Sequence, residues 1–332
     1  MNGVIIVDKP AGWTSHDVVN RMRRILGQRS VGHLGTLDPL ATGVLPLVTG
    51  SLTRLAQFYT TSEKTYEGVI RFGFATNTYD ADGDLVGEVS SVTPTLDRLH
   101  QLASGFLGLI EQVPPPFSAK KIHGVPAYKL ARKQQDVVLK SVQVEIKEFV
   151  ITAVEADRAH FRARVASGTY MRSVAHEMGQ RLGCGAHLES LRRTAVAEFQ
   201  ISQARTLEEI EGQMVGRKNM EGKDTGCEDS RCESNSSNSN EDQIGNIADS
   251  QIEAGPRGID TIFVHPRQLL PQFPSVTADE ATTARIRSGR PVNLPELSRA
   301  RQVKVFHGQR DLIAIATRVA GTLFHPKIVF PS

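Results

Sequence analysis

The sequence predicts an α+β protein with a central mixed, largely antiparallel sheet flanked by helices and loops, followed by a small β-rich domain. Apolar residues alternate with strand periodicity in some segments and recur with helical periodicity in others. These segments do not alternate as regular βαβ units, which disfavours a doubly wound parallel sheet. Short strand-like segments separated by glycine turns close the chain, and they predict the second domain.

The chain opens with a predicted strand and helix. Residues 3–7 form a short apolar stretch. Ser15 is expected to cap the helix that follows, and Gly27 is expected to end it. The apolar residues at helical spacing are Val18, Val19, Met22, Ile25 and Leu26. Further along, strands are predicted at residues 66–74, 142–150 and 160–165, and a helix at residues 170–182.

The composition changes sharply after residue 215. Residues 216–258 are rich in Ser, Asn, Gly, Glu and Asp, and cannot bury enough apolar surface to order themselves. This segment is therefore interpreted as a linker between a first domain, residues 1–215, and a C-terminal domain, residues 259–332. In the latter, a helix is predicted at residues 281–286, and strands at residues 302–306, 312–317 and 327–330.

Composition and charge narrow the class of protein. Hydrophobic residues make up 39% of the 332 residues, and the sequence has no apolar run long enough to cross a bilayer. The N-terminal apolar stretch lacks a basic flank and is interrupted by Asp8-Lys9-Pro10, so we expect a cytoplasmic protein without a signal peptide. The net charge is +3, but the linker carries nine acidic and five basic residues, which leaves +7 on the remainder. That excess suits a polyanionic partner.

The three cysteines indicate neither disulfides nor a metal. Cys184, Cys227 and Cys232 are an odd number in a chain without a secretory signal, so we expect reduced thiols. Cys227 and Cys232 have no histidine near them and lie in the polar linker. We predict no metal site.

The densest chemical signal is a loop at residues 32–45. It presents one carboxylate, Asp38, between apolar neighbours and among three glycines. Pro39 restricts Asp38 to extended or turn geometry. From spacing alone an ordinary Asp-Pro turn is the favoured interpretation. The loop is not a phosphate-binding loop, because no Gly-Lys-Ser/Thr follows Gly43.

Six segments, taken in order, resemble one enzyme family. They are residues 3–10, 32–43, 64–66, 80–83, 167–172 and 191–193. Together they resemble the bacterial tRNA pseudouridine synthases that modify uridine 55 in the T-loop, the TruB family. The resemblance implies the pseudouridine synthase fold and a tRNA T-arm as partner. It also implies that Asp38 is the nucleophile and later acts as the leaving group. Whether Asp38 adds to the base or to the anomeric carbon stays open. No metal or redox cofactor is implied.

The same resemblance assigns roles to other side chains. Arg172 becomes the charge partner of Asp38, and Tyr66 stacks on the flipped uracil and accepts or relays a proton. His33 braces the loop from which the uridine is extruded. Tyr170 and Leu191 line the pocket, although plain core packing is a serious alternative for both.

Lysines supply the predicted phosphate contacts. The resemblance places Lys64 beside the substrate, and residues 112–140 resemble a thumb-like insertion in which Lys120 and Lys121 neutralise phosphates. An exposed loop and helix is the alternative interpretation of that insertion. Residues 259–332 resemble a PUA-type RNA-binding domain. The length and the self-contained thumb favour a monomer that needs no protein partner.

The sequence departs from the family pattern at two points, and two other functions stay open. Asn77 stands where the family often has an acidic residue, which puts a supporting contact in doubt, and the long linker leaves the placement of the C-terminal domain uncertain. A binding module or tRNA-folding chaperone would explain a basic surface without chemistry. A relative that modifies another RNA or depends on a guide RNA is the third possibility.

Overall fold

The structure is a computed structural model, and it describes residues 1–118, 120–122, 124–127, 130, 139–221, 262–295 and 300–331. Within these ranges, no helix has the length and apolar character needed to span a membrane. Most of the predicted linker, with Cys227 and Cys232, lies outside the described residues. A helix at Leu207–Glu221 covers the first six residues of that linker.

The first part of the chain supplies one large sheet and its helices. Its strands are β1 (Gly3–Lys9), β2 (Val31–His33), β3 (Thr42–Thr49), β4 (Lys64–Phe72), β5 (Ala75–Thr76), β6 (Leu85–Val86), β7 (Gly108–Gln112), β8 (Lys121–Ile122), β9 (Val125–Pro126), β10 (Val142–Glu155), β11 (Arg158–Val165), β12 (Ala186–Val196) and β13 (Phe199–Gln200). Its helices are α1 (Ser15–Leu26), α2 (Ala56–Tyr59), α3 (Leu96–Ser104), α4 (Met171–Leu182) and α5 (Leu207–Glu221).

The sheet is mixed and largely antiparallel, as predicted. Its strand order is β1-β3-β12-β4-β11-β10-β7, with β2 paired to β3 and β13 to β12. Among these described pairs, only β3 and β12 run parallel, through Thr42 opposite Arg192 and Gly43 opposite Arg193. Gly43 has φ +98°, and a Cβ there would overlap the carbonyl oxygen of Arg193. The close approach of the two backbones therefore requires glycine.

Helices cover one face of this sheet. Inward residues of the strands, such as Ile70 and Phe161, share a core with Val18 of α1, Leu99 of α3 and Met178 of α4. At β4, β11 and β12 the opposite face is polar and carries surface ion pairs, including Arg158 with Glu189 and Arg71 with Asp157. At β1 and β3 it is apolar. This arrangement follows from the period-2 alternation of the strands, which sends successive side chains to opposite faces.

The start of α1 differs from the prediction. Thr14, not Ser15, is the N-cap: its hydroxyl accepts a hydrogen bond from the backbone N–H of Asp17 at 3.1 Å, and Asp17 returns the contact. This is a capping box. Ser15 lies in the first turn, buried, with its hydroxyl turned to Leu37. Gly27 ends the helix at φ +60°, as predicted.

The C-terminal domain is a second, five-stranded sheet with one short helix. Its elements are β14 (Ser275–Ala278), α6 (Glu280–Arg287), β15 (Val292–Asn293), β16 (Gln302–His307), β17 (Asp311–Ala320) and β18 (Leu323–Val329), with the strand order β14-β16-β17-β18-β15. The predicted helix and strands are therefore present, each with at least one end shifted. The prediction of an α+β protein with a small β-rich C-terminal domain is confirmed.

The two sheets share a hydrophobic cluster. Phe306 and Phe330 from the C-terminal domain pack with Val4 and Leu55 from the first domain. A polar contact lies beside it: Glu198 Oε1 accepts hydrogen bonds from the Tyr59 hydroxyl at 2.5 Å and from the Leu270 N–H at 2.8 Å. The packing fixes the C-terminal sheet against the side of the first domain that carries β1 and α2.

Candidate active site

One cavity gathers most of the residues predicted from the sequence. Its volume is about 450 Å³, within the usual range for sites that take small ligands. Asp38 enters it from the loop between β2 and β3, Tyr66 from β4 and Arg172 from α4. The other predicted residues in its wall are His33, Lys64, Tyr170 and Leu191. The cavity therefore lies where four distant parts of the sequence converge.

The loop that carries Asp38 is anchored on both sides. Before it, the buried hydroxyl of Ser15 accepts from the Leu37 N–H at 2.8 Å and donates to the Leu37 carbonyl at 3.0 Å. After it, the carbonyl of Pro39 accepts from the Gly12 N–H at 2.9 Å and from Lys9 Nζ at 3.2 Å. These contacts fix the backbone around a carboxylate whose own side chain stays 40% exposed.

The buried guanidinium of Arg172 lies against that carboxylate. Its Nε lies 2.9 Å from Asp38 Oδ2, and its side chain is only 5% exposed. Although Oδ2 is this near, Nε forms no aligned hydrogen bond to any described residue, so the contact is an ion pair. The terminal nitrogens donate to the carbonyls of Thr78, at 3.1 Å, and Phe117, at 3.0 Å.

Asp80 is a second carboxylate on the same guanidinium. Its Oδ2 lies 3.4 Å from Arg172 Nη1, and its side chain is 8% exposed. Burial raises the pKa of Asp80, while hydrogen bonding from Thr78 and the charge of Arg172 oppose that rise. Thr78 Oγ1 donates to Asp80 Oδ1 at 2.5 Å. Asp80 thus braces the cation from the side away from the cavity opening.

Tyr66 and Arg193 form the inner wall. Tyr66 is nearly buried, and it pairs with Arg193 across β4 and β12. The Arg193 guanidinium interacts electrostatically with the Tyr66 side chain. It also donates to three carbonyls, those of Val44 at 2.8 Å, Thr36 at 3.1 Å and Gly35 at 3.0 Å. Burial lowers the pKa of Arg193.

Two basic groups at the rim have lowered pKa values. Burial, and then the charge of Arg193, lowers the pKa of Lys64 to about 8. Its Nζ donates to the carbonyl of Ser62 at 2.6 Å. Burial likewise lowers the pKa of His33, whose Nδ1 accepts from the Gly35 N–H at 3.3 Å. The Nδ1 contact leaves Nε2 of a neutral ring to carry the proton.

Tyr170 reaches the cavity from the N-cap of α4. Gln112 clamps its backbone on both sides, accepting from the Tyr170 N–H at 2.8 Å and donating to the Tyr170 carbonyl at 3.1 Å. Burial raises the pKa of the Tyr170 phenol. Leu191 lies between this cavity and a neighbouring groove on the polar face of the sheet. Both residues therefore contribute wall surface.

Of the two predicted thumb lysines, the structure describes the side chain of Lys120 alone. Lys120 is exposed, and the residues that line the cavity do not include it. Lys121 begins β8, but its side chain lies outside the described residues, as does much of the segment at residues 112–140. Their predicted contact with phosphates stays a prediction.

Comparison with known proteins gives the family. The model of the TruB family pseudouridylate synthase N-terminal domain matches residues 23–171, and that of the tRNA pseudouridylate synthase B C-terminal domain matches residues 172–225. The chain belongs to the TruB family. The residues that line the cavity, from His33 to Arg193, lie within the part of the chain that the two family models together cover.

Three similar proteins match this chain over nearly its whole length or over about two thirds of it. One from Solibacter usitatus, named tRNA pseudouridine synthase B, is 45% identical over 99% of this chain and 100% of its own length. Proteins of the same name from Opitutus terrae and Thermobifida fusca are 44% and 46% identical over 64% and 63% of this chain, which is 88% and 74% of their own lengths.

Solved structures show the same fold at low identity. A Cbf5-Nop10-Gar1 complex contains a chain with TM-score 0.66 and 23% identity, which covers 99% of this chain and 85% of its own. An H/ACA RNP bound to a substrate RNA with 2′-deoxyuridine gives TM-score 0.66 and 21% identity, with the same coverage. Both support the pseudouridine synthase fold.

Sequence reasoning missed four residues that build this TruB site. Asp80 and Arg193 lay inside segments recognised as family-like, but no role was predicted for either. Lys9 and Ser15 anchor the Asp38 loop from β1 and α1. The sequence offered one signal for Lys9. It ends an apolar strand and precedes Pro10, and a lysine is seldom buried unless its ammonium has a partner.

Proposed function

We propose that this chain isomerises uridine 55 in the T-loop of tRNA to pseudouridine. The observation that carries the proposal is the pairing of a half-exposed carboxylate, Asp38, with a fixed cation, Arg172, in one cavity. Membership of the TruB family supports uridine isomerisation, and the names of the relatives support tRNA as the RNA. The motif resemblance around Asp38 supports position 55.

The chemistry follows from what the cavity holds. The carboxylate of Asp38 forms a covalent bond to the nucleoside, at the anomeric carbon or at the base, and the bond between C1′ and N1 breaks. The uracil turns and rejoins C1′ through C5. If Asp38 is bonded to C1′, the new bond to C5 displaces it; if Asp38 is bonded to the base, that bond breaks after C5 has joined C1′. C5 loses one proton and N1 gains one, so the reaction is an isomerisation without a redox partner. Tyr66 is the proposed acceptor or relay for that proton.

A uridine in a folded loop must leave its stack before it can reach Asp38. Tyr66, Tyr170 and Leu191 offer it apolar and aromatic surface inside the cavity, and His33 braces the RNA at the rim. Below its pKa of about 8, Lys64 supplies a positive charge beside the cavity for a flanking phosphate. We also propose that the C-terminal domain and the thumb add RNA contacts, and that the chain acts alone, as a cytoplasmic monomer.

The test is turnover by the purified chain on unmodified tRNA. We expect pseudouridine at position 55 and at no other position, both in a full-length transcript and in a T-arm stem-loop. The same tRNA with cytidine at position 55 is the control, and it should stay unmodified. Failure on the bare stem-loop, with activity only when other RNA or proteins are added, would contradict stand-alone action.

A further inference from the structure

The only tryptophan of the chain lies on the surface beside the candidate active site. Trp13 is 37% exposed, although tryptophan is on average a highly buried residue type. It lies between β1 and α1, directly after Gly12 at φ +78°, and the neighbours Ala11 and Thr14 are also exposed. The indole is thus presented to solvent at the tip of a short loop.

This loop is joined to the loop of the candidate nucleophile. Lys9 Nζ donates to the carbonyl of Trp13 at 2.6 Å and to that of Pro39 at 3.2 Å, so one ammonium bridges the two loops. The Gly12 N–H donates to the same Pro39 carbonyl at 2.9 Å. Because Pro39 follows Asp38 directly, Trp13 is held at a fixed place next to the cavity.

The surroundings of Trp13 combine ring surface with positive charge. Trp13 and Arg24 line a shallow groove of about 330 Å³, together with Gly12, Asp17 and Asn20. Arg24 is exposed. His16, also exposed, is close enough to His33 at the cavity rim to lower its pKa. The groove thus places the indole beside one cation, Arg24, and one carboxylate, Asp17, which is engaged in the capping box with Thr14.

We propose that Trp13 is a stacking site for an unpaired base of the substrate RNA, one that neighbours the flipped uridine and stays outside the cavity. The proposal rests on the proposed function, because the RNA is placed by the uridine in the cavity. Every base has a flat face that stacks on an indole, and a cation such as Arg24 neutralises a phosphate of the same strand. An apolar protein segment would use the indole but not the adjoining arginine.

Tryptophan fluorescence tests this contact directly. With Trp13 as the sole tryptophan, emission excited where tyrosine does not absorb reports on this loop alone. In the Asp38→Asn protein, T-arm stem-loop RNA should quench the emission with the same midpoint as binding followed by RNA anisotropy. An abasic nucleotide on one side of the target uridine should remove the quench, while anisotropy still reports binding.

Substitutions give a second measurement. Trp13→Ala should weaken binding of the stem-loop roughly 5- to 150-fold, whereas Trp13→Phe should recover most of the affinity. Val150→Ala is the matched control, since it trims a 44% exposed apolar side chain on the polar face of the sheet and should leave affinity unchanged. Circular dichroism of each variant confirms that it is folded.

The outcomes separate this proposal from the proposed function. Stem-loop that binds and is isomerised without any change in Trp13 emission would overturn the stacking site and leave the enzyme activity standing. A quench that persists with abasic nucleotides on both sides of the target, or equal affinities for Trp13→Ala and Val150→Ala, would overturn it as well. Absence of RNA binding by anisotropy would overturn both.

Discussion

The ion pair between Arg172 and Asp38 is uneven: the Arg172 side chain is 5% exposed and the Asp38 side chain 40%. The cation is held from behind by Asp80 and by the carbonyls of Thr78 and Phe117. The carboxylate instead opens into the cavity. A fixed positive charge beside an accessible carboxylate suits covalent catalysis, because the group that reacts is free while its partner needs no reorganisation.

Asp80→Asn should slow turnover without preventing RNA binding. The change removes the second carboxylate on Arg172, and a guanidinium displaced by about 1 Å can cost roughly 100-fold in rate. We expect a fall of that order in kcat, with stem-loop affinity changed less than about threefold. Asp82→Asn is the control: Asp82 is exposed in the same loop. Equal kcat values for the two variants would show that Asp80 does not position Arg172.

Arg193→Met and Arg192→Met should differ strongly in stability. Arg193 is 1% exposed, and its loss leaves three carbonyls without their donors, at an expected cost of about 3–5 kcal/mol in the free energy of unfolding. Arg192 forms a part-exposed ion pair with Asp8, worth at most about 1 kcal/mol. Urea unfolding midpoints measure the difference. Similar midpoints would contradict the role assigned to Arg193.

The proposed RNA contact of Lys64 should weaken as the pH rises through about 8. Burial lowers the pKa of Lys64 to about 8, so its charge is present below that pH and is lost above it, where an exposed lysine is still protonated. We expect kcat/KM of the wild-type protein to decline between about pH 7.5 and 9. Lys64→Arg keeps its charge through this range and should flatten the decline. If the pH profile of Lys64→Arg matches that of the wild-type protein, the decline does not come from Lys64. Lys9, whose pKa burial also lowers to about 8, would then be the group to test.

The sequence was sufficient for the class of the large sheet, for its strands β1, β4, β10 and β11, for helices α1 and α4, and for the cavity residues that the motifs mark. It could not distinguish Arg192 from Arg193. Alternation along a strand normally decides which of two neighbours faces inward, but β12 has register shifts between Leu188 and Ser190 and between Arg193 and Ala195. Each irregularity breaks the period of two. Only the structure shows that Arg193 is the buried residue.

The N-terminus of α1 is a different case, because its signal was present in the sequence. A capping box needs an acceptor side chain three residues after the cap. Thr14 has Asp17 at that spacing, whereas Ser15 has Val18. The hydroxyl of Ser15 was then free for Leu37, 22 residues away, a contact that no local pattern predicts. Long-range contacts of this kind, as also between Lys9 and Pro39, account for most of what was missed.

The most direct test of the central claim is turnover by Asp38→Asn on an unmodified T-arm stem-loop. Asparagine keeps the size of the side chain but removes the nucleophilic charge. We predict that this variant folds and binds the RNA, yet forms no pseudouridine at position 55 over a time in which the wild-type protein converts all of it. Pseudouridine at the wild-type rate would contradict covalent catalysis by Asp38.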